Sequence, residues 1–148
     1  MGLLREVLAG RPEARVVLSG VAGEREEIAG IAAAVADPRV VLAAGELPLR
    51  RLVALTALAD SCLGIDSGPT HVAAAMGCPQ VVLFGRADPR RVAPRGAAPV
   101  EVVAALPSAS WPGDPVTWHR VNRLEEIPLA SAVEAWRRLP RRGASPGL

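Results

Sequence analysis

Five short apolar runs punctuate the chain, at residues 16–18, 40–42, 62–65, 81–84 and 100–103. They are rich in Val and Leu and nearly continuous rather than alternating, which is the pattern of strands buried on both faces in a parallel sheet. Between the first two runs, Ile28, Ile31, Ala32 and Val35 recur at i, i+3, i+4 and i+7; between the next two, Leu49, Leu52, Val53, Leu55 and Leu58 form a broad apolar face. Both stretches are predicted helices. Strand and helix therefore alternate from Val16 to Phe84, which predicts an α/β fold with a Rossmann-like, doubly wound parallel sheet. Beyond Gly96 the order weakens. Residues 106–116 carry Pro107, Pro112, Gly113 and Pro115 with Ser108 and Ser110, a loop by composition. Leu129, Val133, Trp136 and Leu139 mark one last amphipathic helix. Residues 1–139 are expected to form the domain, and residues 140–148 a disordered tail.

One segment stands out within this alternation. The apolar run at 62–65 ends on Asp66, and Ser67-Gly68-Pro69-Thr70-His71 follows before a helix of small residues, Val72 to Met76. Proline at the first helical position gives up no donor that the helix needs, so a helix starts at Gly68–Pro69. Gly77 ends it and Pro79 prevents its return. The free N–H groups of such a helix start, with its positive dipole end, suit a phosphate group, and a phosphate ester is the first ligand this pattern suggests. Asp66 can either cap the helix or face the ligand. Ser67 and Gly68 can either build a turn or touch a ligand. Arg86, Arg90 and Arg91 surround Asp88-Pro89 past the next strand and could reach a phosphate, or form a solvated loop.

Composition narrows the classes. With 148 residues there is room for one core, of the size that buries roughly 68–70% of the unfolded surface. Half the residues are apolar, yet no uncharged apolar run approaches the ~20 residues that span a bilayer, so no transmembrane segment is expected. The start, Met1-Gly2-Leu3-Leu4-Arg5-Glu6, turns charged too soon for a secretory signal. Net charge is +2, from 17 basic and 15 acidic groups, and every basic residue is arginine. Nucleic-acid binding is not expected, because the aromatic content is 3% and the basic residues are not clustered with stacking rings. Cys62 and Cys78 begin two successive strands with no CxxC and no zinc spacing, so two free thiols are expected. No Asp-x-Asp pair is present to hold a magnesium ion, and neither metal nor cofactor is expected.

Asp66-Ser67-Gly68-Pro69 with His71, the small-residue helix, Gly77 and Pro79, Leu83-Phe84-Gly85 and Asp88-Pro89 together resemble the signature of glycosyltransferase family 9, the lipopolysaccharide heptosyltransferases. The resemblance runs from about Val16 to Gly96. It implies the C-terminal, donor-binding half of a two-domain GT-B enzyme that inverts as it transfers a sugar, a heptose from ADP-heptose, to a lipopolysaccharide core acceptor. It implies donor contacts at Asp66, Ser67, Gly68, Pro69, Thr70 and His71, with His71 near the phosphates; Asp66, whose charge would repel a diphosphate, is expected on the sugar hydroxyls. Glu24 resembles the acidic residue that holds the ribose, and is otherwise a helix N-terminal acid favoured by the dipole. Leu47 matches the position whose backbone lies by the adenine. Arg86 replaces a proline common in the family. The general base belongs to the acceptor half, which has no counterpart in this chain, so no catalytic residue is expected here and inactivity alone is. The implied location is cytoplasmic, peripheral at the inner membrane.

Residues 2–10 resemble the first helix of the donor domain, which leaves the strand before it without a counterpart. In the usual order 3-2-1-4-5-6 that strand is central, so the strands at Val16 and Cys62 lack a shared neighbour. Either the sheet re-pairs, another chain supplies the strand, or the sequence is a piece of a longer product. Rival readings are a stand-alone nucleotide-sugar-binding module without transfer activity, a truncated gene remnant prone to aggregate through strand edges, and a sugar-nucleotide epimerase. A dehydrogenase is disfavoured, since no GxGxxG follows a strand.

Overall fold

The computed structural model describes residues 1–140 and Arg142, the side chains of Pro115 and His119 apart. Its strands are β1 (Val16–Leu18), β2 (Val40–Leu42), β3 (Cys62–Ile65), β4 (Gln80–Phe84) and β5 (Val100–Ala104). The helices are α1 (Gly2–Gly10), α2 (Arg25–Val35), α3 (Leu49–Leu58), α4 (Gly68–Ala75), α5 (Pro89–Val92), α6 (Pro115–Val121) and α7 (Leu129–Arg138). The chain divides within α3 into two compact units, Met1–Leu52 and Val53–Leu148.

In the first unit β1 and β2 pair in parallel, Val16 opposite Val40 and Leu18 opposite Leu42. Arg39 ties the end of α1 to the start of β2: its guanidinium donates to the carbonyls of Leu8, Arg11 and Pro12 at 3.0, 3.2 and 2.7 Å, and to both oxygens of Asp37. That pair holds the Asp37 carboxyl below the usual carboxylate range. α2 closes without a glycine, on Ala36 at φ 53°, a left-handed position that costs a non-glycine residue roughly 1–2 kcal/mol.

In the second unit β3, β4 and β5 form a parallel sheet in that order, with Cys62 opposite Gln80 and Gln80 opposite Val100. The core gathers Val81, Val82 and Phe84 of β4 with Ala73 and Ala74 of α4 and Ala132, Val133, Ala135 and Trp136 of α7. β4 is buried on both faces, as its continuous apolar run requires. Gly64 within β3 leaves room for Thr70, whose Cγ2 would stand 2.7 Å from an added Cβ.

Strand positions follow the apolar runs to within a residue, and the parallel strands stand in two sheets, with the gap falling where the first strand of the doubly wound order is expected to be missing. The two sheets have the orders of strands 3-2 and of strands 4-5-6 in a six-stranded doubly wound sheet, the strand numbered 1 having no counterpart among the described residues. The expected loop over residues 106–116 is corrected. It holds a 3-10 turn at Ser108–Ser110, and α6 begins at Pro115. Pro115 is a helix-starting proline rather than a breaker, because Asp114 before it accepts the Thr117 N–H at 2.8 Å as the N-cap.

Within the segment expected to be a tail, Arg142 donates to the carbonyls of Thr56, Ala59 and Met76. Residues 141 and 143–148 lie outside the described residues. No helix among those described is long and apolar enough to cross a membrane.

Candidate functional site

β3 delivers Asp66 at its carboxyl end, and the chain turns at once into α4. Ser67 is the N-cap, extended at φ −160°. Its hydroxyl donates to the Ile65 carbonyl at 3.3 Å, and its N–H points to Thr70 Oγ1 at 3.5 Å. Thr70 is turned inward, its hydroxyl donating to the Ser67 carbonyl at 2.7 Å and its N–H reaching the same oxygen at 3.2 Å. Thr70 thus shapes the loop, and Pro69 presets the first turn behind Gly68. Ser67, not Asp66, takes the capping position, and the Asp66 side chain is half-buried. Its Oδ1 stands 3.7 Å from Nε2 of His71, which is half-exposed.

After β4 the chain enters a second loop at the same end of the sheet, and this one is tightly held. Asn122, fully buried, donates from Nδ2 to the carbonyls of Phe84 and Gly85 at 2.7 and 2.5 Å and accepts the Ala105 N–H at 2.9 Å. Trp118, also fully buried, donates from its indole to the carbonyls of Gly85 and Ala87 at 3.2 and 2.8 Å. Asp88 caps α5 by accepting the Arg90 N–H at 3.0 Å, and its carboxylate takes the Arg90 guanidinium in a two-oxygen grip. That hydrogen bonding holds the Asp88 carboxyl below its ordinary range, with Arg91 adding to the effect. The Arg90 guanidinium lies 5.9 Å from each of the rings of Trp111 and Trp118, themselves stacked edge-to-face at 5.1 Å.

Between the two loops opens a cleft of about 750 Å³ lined by Asp66, Ser67, Gly68, His71, Arg91, Val92, Ala93 and Arg95. Helix-start donors, one carboxylate, one imidazole and two guanidinium groups can together take an anion bearing hydroxyl groups. Among the described residues no three His, Cys, Asp or Glu side chains stand together as metal ligands.

Residues 5–110 match glycosyltransferase family 9 (heptosyltransferase). The chain belongs to this family. Two solved structures resemble it: ADP-heptose lps heptosyltransferase II of E. coli, 26% identical with a TM-score of 0.72, and a family 9 glycosyl transferase of Veillonella parvula DSM 2008, 21% identical with a TM-score of 0.73. Each is matched over 91% of this chain, and the chain spans only 38% and 39% of their respective lengths. No curated protein matches the chain.

Of the positions by which the sequence resembles family 9, the second unit brings Asp66, Ser67, Gly68 and His71 to one cleft; Pro69 and Thr70 do not line it. Arg86 and Arg90 are outside the lining as well, Arg90 because Asp88 and the tryptophans hold it. In the first unit the loops bearing Glu24 and Leu47 follow β1 and β2. Gly45, at φ 77°, closes the Leu47 loop against Ala22, and its N–H meets the Gly20 carbonyl at 2.8 Å. Glu24 accepts the Val21 N–H at 2.9 Å, a local use of the carboxylate at a helix start. Sequence reasoning missed Arg95 and the clamp made by Trp118 and Asn122. Trp118 is buried and its indole also holds this loop; the His119 side chain lies outside the described residues. Both cysteines are free; Cys78 is buried, but Cys62 is only half-buried, short of the two buried thiols that the strand positions suggest.

Proposed function

We propose that this chain is the donor-binding half of an inverting family 9 glycosyltransferase, with ADP-heptose as its donor and a lipopolysaccharide core sugar as acceptor. The observation that carries this reading is the cleft at the carboxyl end of β3, where Asp66, Ser67, Gly68 and His71 line one space with two arginines. Ligands of open α/β sheets sit in that position. The diphosphate lies at the start of α4, whose dipole favours the negative charge that grows on the leaving nucleotide. Asp66, as an anion, is poorly suited to a diphosphate and well suited to accept hydrogen bonds from sugar hydroxyls. Glu24 and the Leu47 backbone, to which the family resemblance assigns ribose and adenine, lie in the first unit. The residue that deprotonates the acceptor belongs to a separate acceptor half, so the chain binds donor without transferring sugar by itself. The protein works on the cytoplasmic side of the inner membrane.

Support for the heptose donor comes from the likeness to the ADP-heptose lps heptosyltransferase II of E. coli. Calorimetric titration of the purified chain with ADP-heptose, ADP and UDP tests the reading. Saturable binding that prefers ADP over UDP, weakened by Asp66→Ala for ADP-heptose more than for ADP, is expected. A folded chain that binds none of the three, or an Asp66→Ala variant with unchanged ADP-heptose affinity, refutes it.

A further inference from the structure

Three arginines lie within six residues of one another at the second loop, and the fold uses them differently. Arg90 is committed: Asp88 grips it through two oxygens, the Pro112 carbonyl accepts from it at 2.6 Å, and two indole rings flank it. Arg91 and Arg95 are exposed, and among the described residues neither makes an ion pair or a side-chain hydrogen bond. Both line the cleft, where Asp66 is the lone carboxylate. Two guanidinium groups that form no ion pair or side-chain hydrogen bond among the described residues, Arg91 acting on Asp88 only through its field, stand beside a single lining carboxylate and leave the cleft cationic. Their planar forks match phosphate oxygens better than they match any neutral group. The loop that carries them is fixed at Gly85 and Ala87 by Trp118 and Asn122, so little ordering remains to be done when an anion arrives.

We propose that Arg91 and Arg95 hold the diphosphate of the nucleotide donor through their guanidinium groups, whereas Arg90 serves only the fold. The inference rests on the donor-binding reading above and names the groups that balance the ligand's charge. In chemical terms the site discriminates by phosphate count: a nucleoside diphosphate engages both arginines, and a monophosphate only one.

The full chain is titrated calorimetrically with ADP, AMP and inorganic pyrophosphate, as wild type and as Arg91→Ala, Arg95→Ala and Arg123→Ala. Arg123 is exposed outside the cleft, and its substitution removes the same charge. Each cleft variant is expected to weaken ADP and pyrophosphate by about tenfold or more, the loss of one charge-assisted contact, and to shrink the preference for ADP over AMP. Arg123→Ala is expected to stay within about twofold of wild type, the change that general screening allows. Unchanged ADP affinity and unchanged preference in both cleft variants would overturn the arginine assignment and leave donor binding intact. Pyrophosphate binding that depends on Arg91 and Arg95, with no nucleotide bound, would overturn the donor reading and with it the assignment of the two arginines to a nucleotide's diphosphate. No binding of any of the three by folded wild type overturns both.

Discussion

Asn122→Asp is the most informative single change to the loop clamp. It preserves shape and keeps the acceptor for the Ala105 N–H, but replaces the amide that donates to the Phe84 and Gly85 carbonyls at 2.7 and 2.5 Å. A protonated carboxyl can restore one of those two donations, so the neutral form loses about 1 kcal/mol, the net worth of one bond. An ionised carboxyl would face two carbonyl oxygens in a fully buried position, a cost of roughly 3–5 kcal/mol. The folded state therefore raises the pKa of the introduced carboxyl above the ordinary aspartate value of about 3.9. With the folded pKa raised, the folded state binds more protons than the unfolded one between the two pKa values. Stability of the variant relative to wild type is then greatest near or below pH 4 and falls as pH rises, at up to about 1.4 kcal/mol per pH unit. The assay is urea unfolding followed by tryptophan fluorescence at pH 4.5 and 7.5; Trp111, Trp118 and Trp136 all lie in the second unit, so the signal reports on it alone. A deficit of about 1–2 kcal/mol at the lower pH, growing to about 4 at the higher, is expected. A deficit equal at both pH values, or below about 0.5 kcal/mol throughout, on the order of a surface substitution, would refute the buried clamp.

Three further outcomes follow from packing and burial. The Gln80 side chain is fully buried and its amide has no hydrogen-bond partner among the described residues, so the similarly sized Gln80→Met should stabilise the chain by about 1–2 kcal/mol; a loss in urea unfolding would refute the absence of a partner. Gly96→Ala would drive a Cβ into the carbonyl of Ala74 on α4, main chain against main chain, and should cost about 3 kcal/mol; a melting temperature like that of wild type would contradict the close approach. Burial, with Cys78 nearby, pushes the Cys62 thiol up to about 11, and burial also raises Cys78, so neither should react with a thiol reagent at pH 7.5 until denaturant is added, whereas rapid labelling of the native chain would oppose the reading.

The sequence was legible where one local rule decides the outcome. The apolar runs were legible as strands, though burial on both faces holds for β4 and not for β1, β2 or β3, where Val17, Val41 and Ile65 are exposed; Gly68-Pro69 and Gly77 bracket α4 because start and stop each follow from backbone chemistry at a single residue. The split into two sheets was legible as a missing partner for Val16 and Cys62, though not as the form it takes, since strand pairing depends on residues far apart in the chain. α6 was obscured by its own proline: Asp114-Pro115 reads as a turn until Asp114 is seen to cap Thr117. The clamp was obscured for a different reason. Asn122 and Trp118 look like any polar and aromatic residues in a weakly patterned stretch, and only the fold brings them to the carbonyls of Gly85 and Ala87. Arg90 and Arg91 likewise look equivalent in sequence, yet Asp88 and two indoles claim one and leave the other to the cleft.

The cleft between the β3–α4 and β4–α5 loops is the proposed binding site of the donor nucleotide. Amide chemical-shift mapping of the isotope-labelled chain during titration with ADP tests it most directly. Saturable shifts are expected at Ser67, Gly68 and His71 and around Arg91 and Arg95, with the far ends of β3 and β4 unmoved. Saturable shifts confined to other surfaces, or none at millimolar ADP in a folded chain, would contradict it.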